Sequence, residues 1–304
     1  MPSLLQSIDE QLLHEPSQVG MFLQSSAWGI FQQGVGVSVF VKQYHTQLIQ
    51  VFEKTVLSKK YWYVTRARMH QKTAQELLSD AQSQGVVYVI IEPFRELDFA
   101  LYNHFVTKPI QPHQTSVVTL GNDEDMLRVM HQKTRYNINL AKKKGVSIVV
   151  DREGKYVEDF VALVALTGER NKFGIHSAAY YRACVSQHNA FLVCAIYDNV
   201  VIAAHLYWEF GDTVTYLHGG SSSQHRDVMG PFGIHFRAMQ ESRDNGFLYY
   251  DLWGIDEKKW ESLTRFKRGF GGFEITYPAA TLVILQPWWY RFISFARFVK
   301  RLLK

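Results

Sequence analysis

Two stretches of this chain carry one and the same pattern. In residues 79–91, Ser79-Asp80-Ala81-Gln82-Ser83-Gln84 closes on Gly85 and runs straight into the apolar Val86-Val87-Tyr88-Val89-Ile90-Ile91. In residues 241–252, Glu241-Ser242-Arg243-Asp244-Asn245 closes on Gly246 and runs into Phe247-Leu248-Tyr249-Tyr250-Asp251-Leu252. Gly85 matches Gly246 and Tyr88 matches Tyr249. Each stretch reads as a polar helix end stopped by glycine, feeding a central strand. Its recurrence points to two similar α/β halves.

The rest of the chain fills in around these units. Residues 27–33 read as a short helix capped by Ser25 or Ser26. Residues 35–43, 47–53 and 61–65 read as a strand meander. Residues 123–144 read as one long helix, acids first and lysines last, in keeping with the macrodipole. A strand over 146–151 and a helix over 156–171 follow. Strands over 191–197, 200–209 and 213–218 turn at Asp198-Asn199 and Gly211-Asp212, and Pro231 suits the first turn of a helix over 231–245. Helices mixed with antiparallel meanders predict an α/β fold of mixed α+β character.

With 304 residues, 47% hydrophobic and 20% charged, the chain suits one large domain or two of ordinary size. No apolar run is long enough to span a bilayer, and residues 1–20 lack a basic-then-apolar leader, so a cytoplasmic protein is expected. Cys184 and Cys194 form no CxxC pair and read as small buried hydrophobes. Net charge is +5, yet residues 258–304 hold ten Lys or Arg against Glu261 and Glu274, a local excess of +8. An anionic partner is expected at that end.

The densest chemistry lies in residues 249–272. A strand through Tyr250, Asp251 and Gly254 precedes Phe266-Lys267-Arg268-Gly269-Phe270-Gly271-Gly272, which reads as an aromatic, glycine-rich turn. Its glycines would let backbone approach a ligand. Phe266 and Phe270 would keep Lys267 poorly hydrated, where its charge acts strongly on a carbonyl or phosphate oxygen. No HExxH, paired CxxC or GxSxG supports zinc, redox or serine-hydrolase chemistry.

Five segments, in order, resemble the FemABX family of aminoacyl-tRNA-dependent peptidoglycan bridge transferases. They are Gln24-Ser25-Ser26-Ala27-Trp28, residues 133–146 (KTRYNINLAKKKGV), Gly219-Gly220-Ser221-Ser222 with Arg226 and Pro231, Tyr250-Asp251-Leu252-Trp253-Gly254-Ile255, and Phe266 through Gly272. The resemblance implies two GNAT-like acyltransferase lobes, residues 1–122 with 279–304 and residues 123–278, without the helical arm of some members. It implies that a stem-peptide amine of a peptidoglycan precursor (UDP-MurNAc-peptide or lipid II) attacks the ester of an aminoacyl-tRNA. No cofactor is implied, and a monomer is expected. A coenzyme-A acyltransferase and a non-catalytic tRNA- or membrane-binding protein remain the rival readings. Against the former, Gln33-Gly34-Val35-Gly36 precedes a strand rather than opening a helix.

The resemblance also assigns residues. Lys267, after Phe266, would stabilise the oxyanion at the tRNA ester. Tyr216 keeps the family's tyrosine, while His218, one strand step away and expected on the same face, replaces another. Arg170 would contact the precursor's diphosphate, against an ion pair with Glu169. Glu92 would orient the attacking ammonium, or be a strand-end carboxylate. Gln32 stands near where the family has a phosphate-binding lysine, and Trp28, Tyr250, Asp251 and Arg226 complete the substrate-binding set. Lys142, Lys143 and Lys144 read as a solvated helix end, and Arg135, Asn137 and Asn139 as either structural or functional. Residues 287–304 read as a basic amphipathic helix. We expect it to pack on the first lobe with its basic face towards tRNA; contact with the inner membrane surface is the second reading.

Overall fold

The computed structural model describes residues 4–302. Met1, Pro2, Ser3, Leu303 and Lys304, the last a member of the basic end, lie outside the described residues. In chain order come α1 (Leu4–Leu13), α2 (Ser26–Gly34), β1 (Ser38–Tyr44), β2 (Gln47–Val56), β3 (Lys59–Ala67), α3 (Gln71–Ser83), β4 (Tyr88–Pro93) and β5 (Asn103–Val106). Next are β6 (Gln114–Thr119), α4 (Asp123–Val129), α5 (Gln132–Lys143), β7 (Ser147–Asp151), α6 (Val157–Asn171), α7 (Ala178–Val185), β8 (Ala190–Tyr197) and β9 (Val200–Phe210). The chain closes with β10 (Thr213–Ser221), α8 (Gly230–Asp244), β11 (Tyr249–Ile255), α9 (Glu261–Arg268), β12 (Phe273–Thr276), β13 (Thr281–Ile284) and α10 (Pro287–Leu302).

Two units form, each around one sheet. The first takes residues 1–16, 23–113 and 277–304, the second 17–22 and 114–276. The seam falls at 113/114 rather than at the expected 122, because β6 pairs with β11 and β12 in the second sheet. Sheet order in the first unit is β1-β2-β3-β4-β13-β5, and in the second β12-β6-β11-β10-β9-β8-β7.

The repeated pattern has a common structural meaning. In the first unit the antiparallel meander β1-β2-β3 leads through α3 and Gly85 (φ +72°) to β4, parallel to β3. In the second, β8-β9-β10 leads through α8 and Gly246 (φ +85°) to β11, parallel to β10. Both glycines adopt a left-handed conformation that costs other residues about 1 kcal/mol or more. Asp198 and Asn199, with φ +51° and +62°, make the tight β8–β9 turn.

Each unit has its own core. In the first, Trp62, Val64, Leu77, Leu78, Val89 and Ile91 close between sheet and α3, while Ile293 of α10 packs on Val87, Tyr88 and Leu282. In the second, Phe191, Tyr207, Ile234, Met239 and Tyr250 close between the sheet and α5/α8. Both cysteines are buried and free.

Two expected elements differ. The helix over 123–144 is two helices, broken by extended backbone at Met130 and His131. His131 N–H donates to the Gly269 carbonyl at 2.9 Å, and Arg135 donates to the Leu127 and Met130 carbonyls. A partner more than a hundred residues away thus decides the break. The expected turn over 266–272 is in its first half helical: Phe266, Lys267 and Arg268 end α9, which Gly269 caps.

Candidate active site

The site grows from a defect in β11. Its ladder with β6 slips between Asp251 and Gly254, and Trp253 takes φ +60°. The Asp251 carboxylate stabilises this bulge by accepting from Trp253 N–H at 2.8 Å and from the Thr115 hydroxyl. Pairing resumes at Gly254 opposite Thr115, and the Gly254 carbonyl accepts a hydrogen bond from Lys267 Nζ at 2.8 Å.

Lys267 is 4% exposed. Its Nζ stands 5.3 Å from the centroid of the Tyr216 ring, a cation–π geometry. Burial lowers its pKa to about 7, partly offset by the Asp251 charge. Gly269, Gly271 and Gly272 were expected to admit a ligand, but they admit protein. A Cβ on Gly269 would press on Thr134 Oγ1, one on Gly271 on the Val129 carbonyl, and one on Gly272 on the Val117 carbonyl. The glycines seat the end of α9 against the α4–α5 break and β6.

Near Lys267 lies a buried polar chain of four side chains that the sequence reading missed. His235 Nδ1 lies 2.7 Å from the Tyr250 hydroxyl, Tyr250 donates to Tyr207 at 3.1 Å, and Tyr207 lies 3.4 Å from His205 Nδ1. Burial first, and then the Lys267 charge, lowers His205 to about 3; burial, His205 and Lys267 hold His235 well below its ordinary value. Burial holds the Tyr216, Tyr207 and Tyr250 hydroxyls protonated. The floor is therefore neutral. A lone histidine within the apolar run of β9 was the available signal for His205.

Tyr216 and His218 do not share a face. The β9–β10 register slips between them, so Tyr216 pairs with Tyr207 but His218 pairs with Leu206, and consecutive strand residues face opposite ways. Tyr216 packs on His205 and His235 at 4.8 Å each, while His218 packs on Tyr181 at 5.2 Å and His176 at 5.5 Å. Burial, then His176 and Lys267, push His218 down to about 3. It is thus held neutral and is a weak base.

Arg170, near the end of α6, donates to the Ser221 carbonyl at 2.9 Å instead of pairing with Glu169. Burial and the neighbouring Arg226 charge lower its pKa. Arg170 thus lies beside the Gly219-Gly220-Ser221 stretch, where Gly220 lets α6 lie directly on β10.

Three expected substrate residues belong to the first unit. Trp28 is buried in α2, packing on Phe31 at 5.2 Å, and its N–H donates to the Ser25 hydroxyl. Gln32 lies half-buried on the same helix. Glu92 is buried and accepts from the Tyr63 hydroxyl at 2.7 Å and from Ile110 and Gln111 N–H. An incoming ammonium would have to displace these bonds. Lys142 and Lys143 end α5 exposed, and Arg135 is structural through its two carbonyl contacts. Among the described residues no group of three or more His, Cys, Asp or Glu converges to hold a metal ion.

A sheet pair of this build, each with a parallel pair opening beyond an antiparallel meander, defines a tandem GNAT-like protein. A tandem GNAT protein of the clavulanic acid biosynthesis pathway matches with TM-score 0.53 at 8% identity, over 92% of this chain and 93% of that one. The crystal structure of FemX matches more fully, with TM-score 0.78 at 20% identity over 96% of this chain and 99% of that one. The family model of the FemAB family matches residues 90–198 and 193–297, and the chain belongs to that family. Aminoacyltransferase FemB of Staphylococcus epidermidis is 32% identical over 74 residues. That match takes in 23% of this chain and only 18% of the relative's length.

Proposed function

We propose that this protein is an aminoacyltransferase that moves an amino acid from aminoacyl-tRNA to the stem-peptide amine of a peptidoglycan precursor. The observation that carries the reading is the buried Lys267 ammonium, hydrogen-bonded to the Gly254 carbonyl just past a strand bulge and offset in charge only by Asp251 among the described residues. Family membership and the FemX-like fold support it.

The amine nitrogen attacks the ester carbonyl carbon and the carbonyl electrons move onto oxygen. One Lys267 proton is committed to Gly254, leaving two for that oxyanion. A well-placed donor of this kind contributes roughly 3–4 kcal/mol to the barrier. The intermediate collapses with formation of the amide C–N bond and cleavage of the ester C–O bond. The proton lost by the amine ends on the released ribose hydroxyl. The ester is already activated, so positioning supplies much of the remaining rate and no strong base is required. That fits the weak basicity of His218. Phe266, 4.9 Å from Phe232, helps keep water from the ammonium. Arg170 and Arg226 suit a phosphate-bearing part of the precursor through bidentate bonds. Tyr250 and Asp251 act by holding the floor and the bulge. The reaction needs no cofactor, and both substrates would be met in the cytoplasm.

The test incubates the protein with charged tRNAs, acetyl-CoA and peptidoglycan precursors and looks for a new amide by mass. Transfer from charged tRNA is the expected result. Transfer from acetyl-CoA alone overturns the reading, as does tight tRNA binding without any transfer.

A further inference from the structure

Helix α10 has apolar residues on two opposite sides, and only one of them is covered. On the covered side Ile293 is fully buried with Val87, Tyr88 and Leu282, Tyr290 packs beside it, and Arg297 donates to the Tyr88 hydroxyl at 3.0 Å. On the other side Trp288, Phe292 and Phe295, spaced i, i+4, i+7, are 81%, 55% and 65% exposed. Phe298 is exposed beside them, and Phe105 of the edge strand β5, also exposed, lies 6.0 Å from Tyr290. A surface helix normally turns its polar side to water. Beside the exposed Arg291, Arg297 and Lys300, the outward side of this helix carries an aromatic stripe.

The charges around that face have one sign. No residue of α10 is acidic. Arg291 and Lys300 are exposed along its flanks, and Lys59 reaches over the Trp289 ring at 3.9 Å. We infer that α10 lies in the plane of a bilayer surface carrying acidic phospholipid. The aromatic rings would enter the headgroup–acyl boundary while Arg291, Lys300 and Lys59 meet lipid phosphates. At 16 residues the helix is about 24 Å long, and no described helix is long and apolar enough to cross a membrane, so it lies on the surface. Nucleic acid would satisfy the cations but leave the aromatic stripe in water. This inference does not depend on what the protein transfers.

The experiment mixes the full chain with phosphatidylcholine vesicles, without or with added phosphatidylglycerol, and follows co-sedimentation and tryptophan emission. Partition onto the acidic vesicles is expected, with a blue shift, weakened by salt. The double variant Trp288→Ser/Phe295→Ser should weaken partition roughly tenfold or more. The variant Arg291→Ser/Lys300→Ser should weaken it by several-fold and flatten the salt dependence. Both pairs are exposed, so circular dichroism and the unfolding midpoint should stay unchanged. Phe292→Ser serves as a third variant should either pair unfold. Absence of partition onto both vesicle types overturns the inference. So does an aromatic variant that binds as well as the parent, one that only converts a dimer to a monomer, or one that only loses tRNA.

Discussion

The parallel pair β3–β4 of the first unit and the parallel pair β10–β11 of the second treat a buried charge in opposite ways. Where β3 and β4 part, the ladder slips at Arg66 (φ +50°) and two charges enter the interior. Both are wrapped: Glu92 accepts from Tyr63, Ile110 and Gln111, while Arg66 donates to the Pro112 carbonyl and lies 3.4 Å over the Tyr277 ring. The segment 110–112 closes that opening. Where β10 and β11 part, Lys267 enters with one carbonyl bond and a neutral floor. A charge enclosed by hydrogen bonds holds a structure together; one with few partners is a candidate for chemistry.

That contrast can be broken at several points. The largest effect belongs to Lys267→Met, which should lower turnover on charged tRNA by about 10²–10³-fold. Its denaturant stability at neutral pH should stay equal or rise, because a buried charge only partly offset by Asp251 is removed. An equal loss of stability and turnover would make Lys267 structural.

Glu92→Ala tests the other side. It strands the Ile110 and Gln111 N–H groups and the Tyr63 hydroxyl, and should cost about 2–4 kcal/mol in urea unfolding. Activity per folded molecule should change by no more than about twofold; a large fall in kcat with unchanged stability would return Glu92 to the chemistry.

Gly272→Ala sharpens the glycine correction. With φ +92° and a Cβ driven into the Val117 carbonyl, it should cost about 1–3 kcal/mol. Turnover should fall only as far as the end of α9 shifts, without a specific rise in KM for either substrate; such a rise would restore the ligand-approach reading.

The pH dependence tests the charge state of the same lysine. If the ammonium is the working form, kcat/KM should fall about tenfold per unit as pH rises above about 7. A profile that rises through the same region would make Lys267 a base. Stability moves oppositely. The folded pKa lies below the ordinary lysine value, so the unfolded chain binds the extra proton between the two. Wild type should therefore gain stability relative to Lys267→Met as pH rises from about 7 towards the ordinary value, with nothing further gained above it.

Much of the architecture was legible because its causes are local. Gly85 and Gly246 stop helices through their own backbone freedom, and Asp198-Asn199 turns a hairpin through its own positive φ angles. Ser25 caps α2 three residues away, accepting from Trp28 N–H at 3.2 Å. Meander strands follow from alternation and turn residues. Lys267 stood out for a local reason too, the phenylalanines and glycines on either side.

What the sequence alone determined is thus the doubled helix–glycine–strand plan and the meanders, and it singled out Lys267 as the candidate. Contacts between distant residues decided the rest. Gly269 breaks the helix at His131, β6 joins the second sheet through β11 and β12, and Asp251 with Thr115 bends β11 so that Gly254 meets Lys267. The slip in β10 turned His218 away from Tyr216, and Ile110 with Gln111 claimed Glu92. Burial, register and charge state are properties of packed neighbours, and a linear pattern of residues does not contain them until the chain has closed on itself.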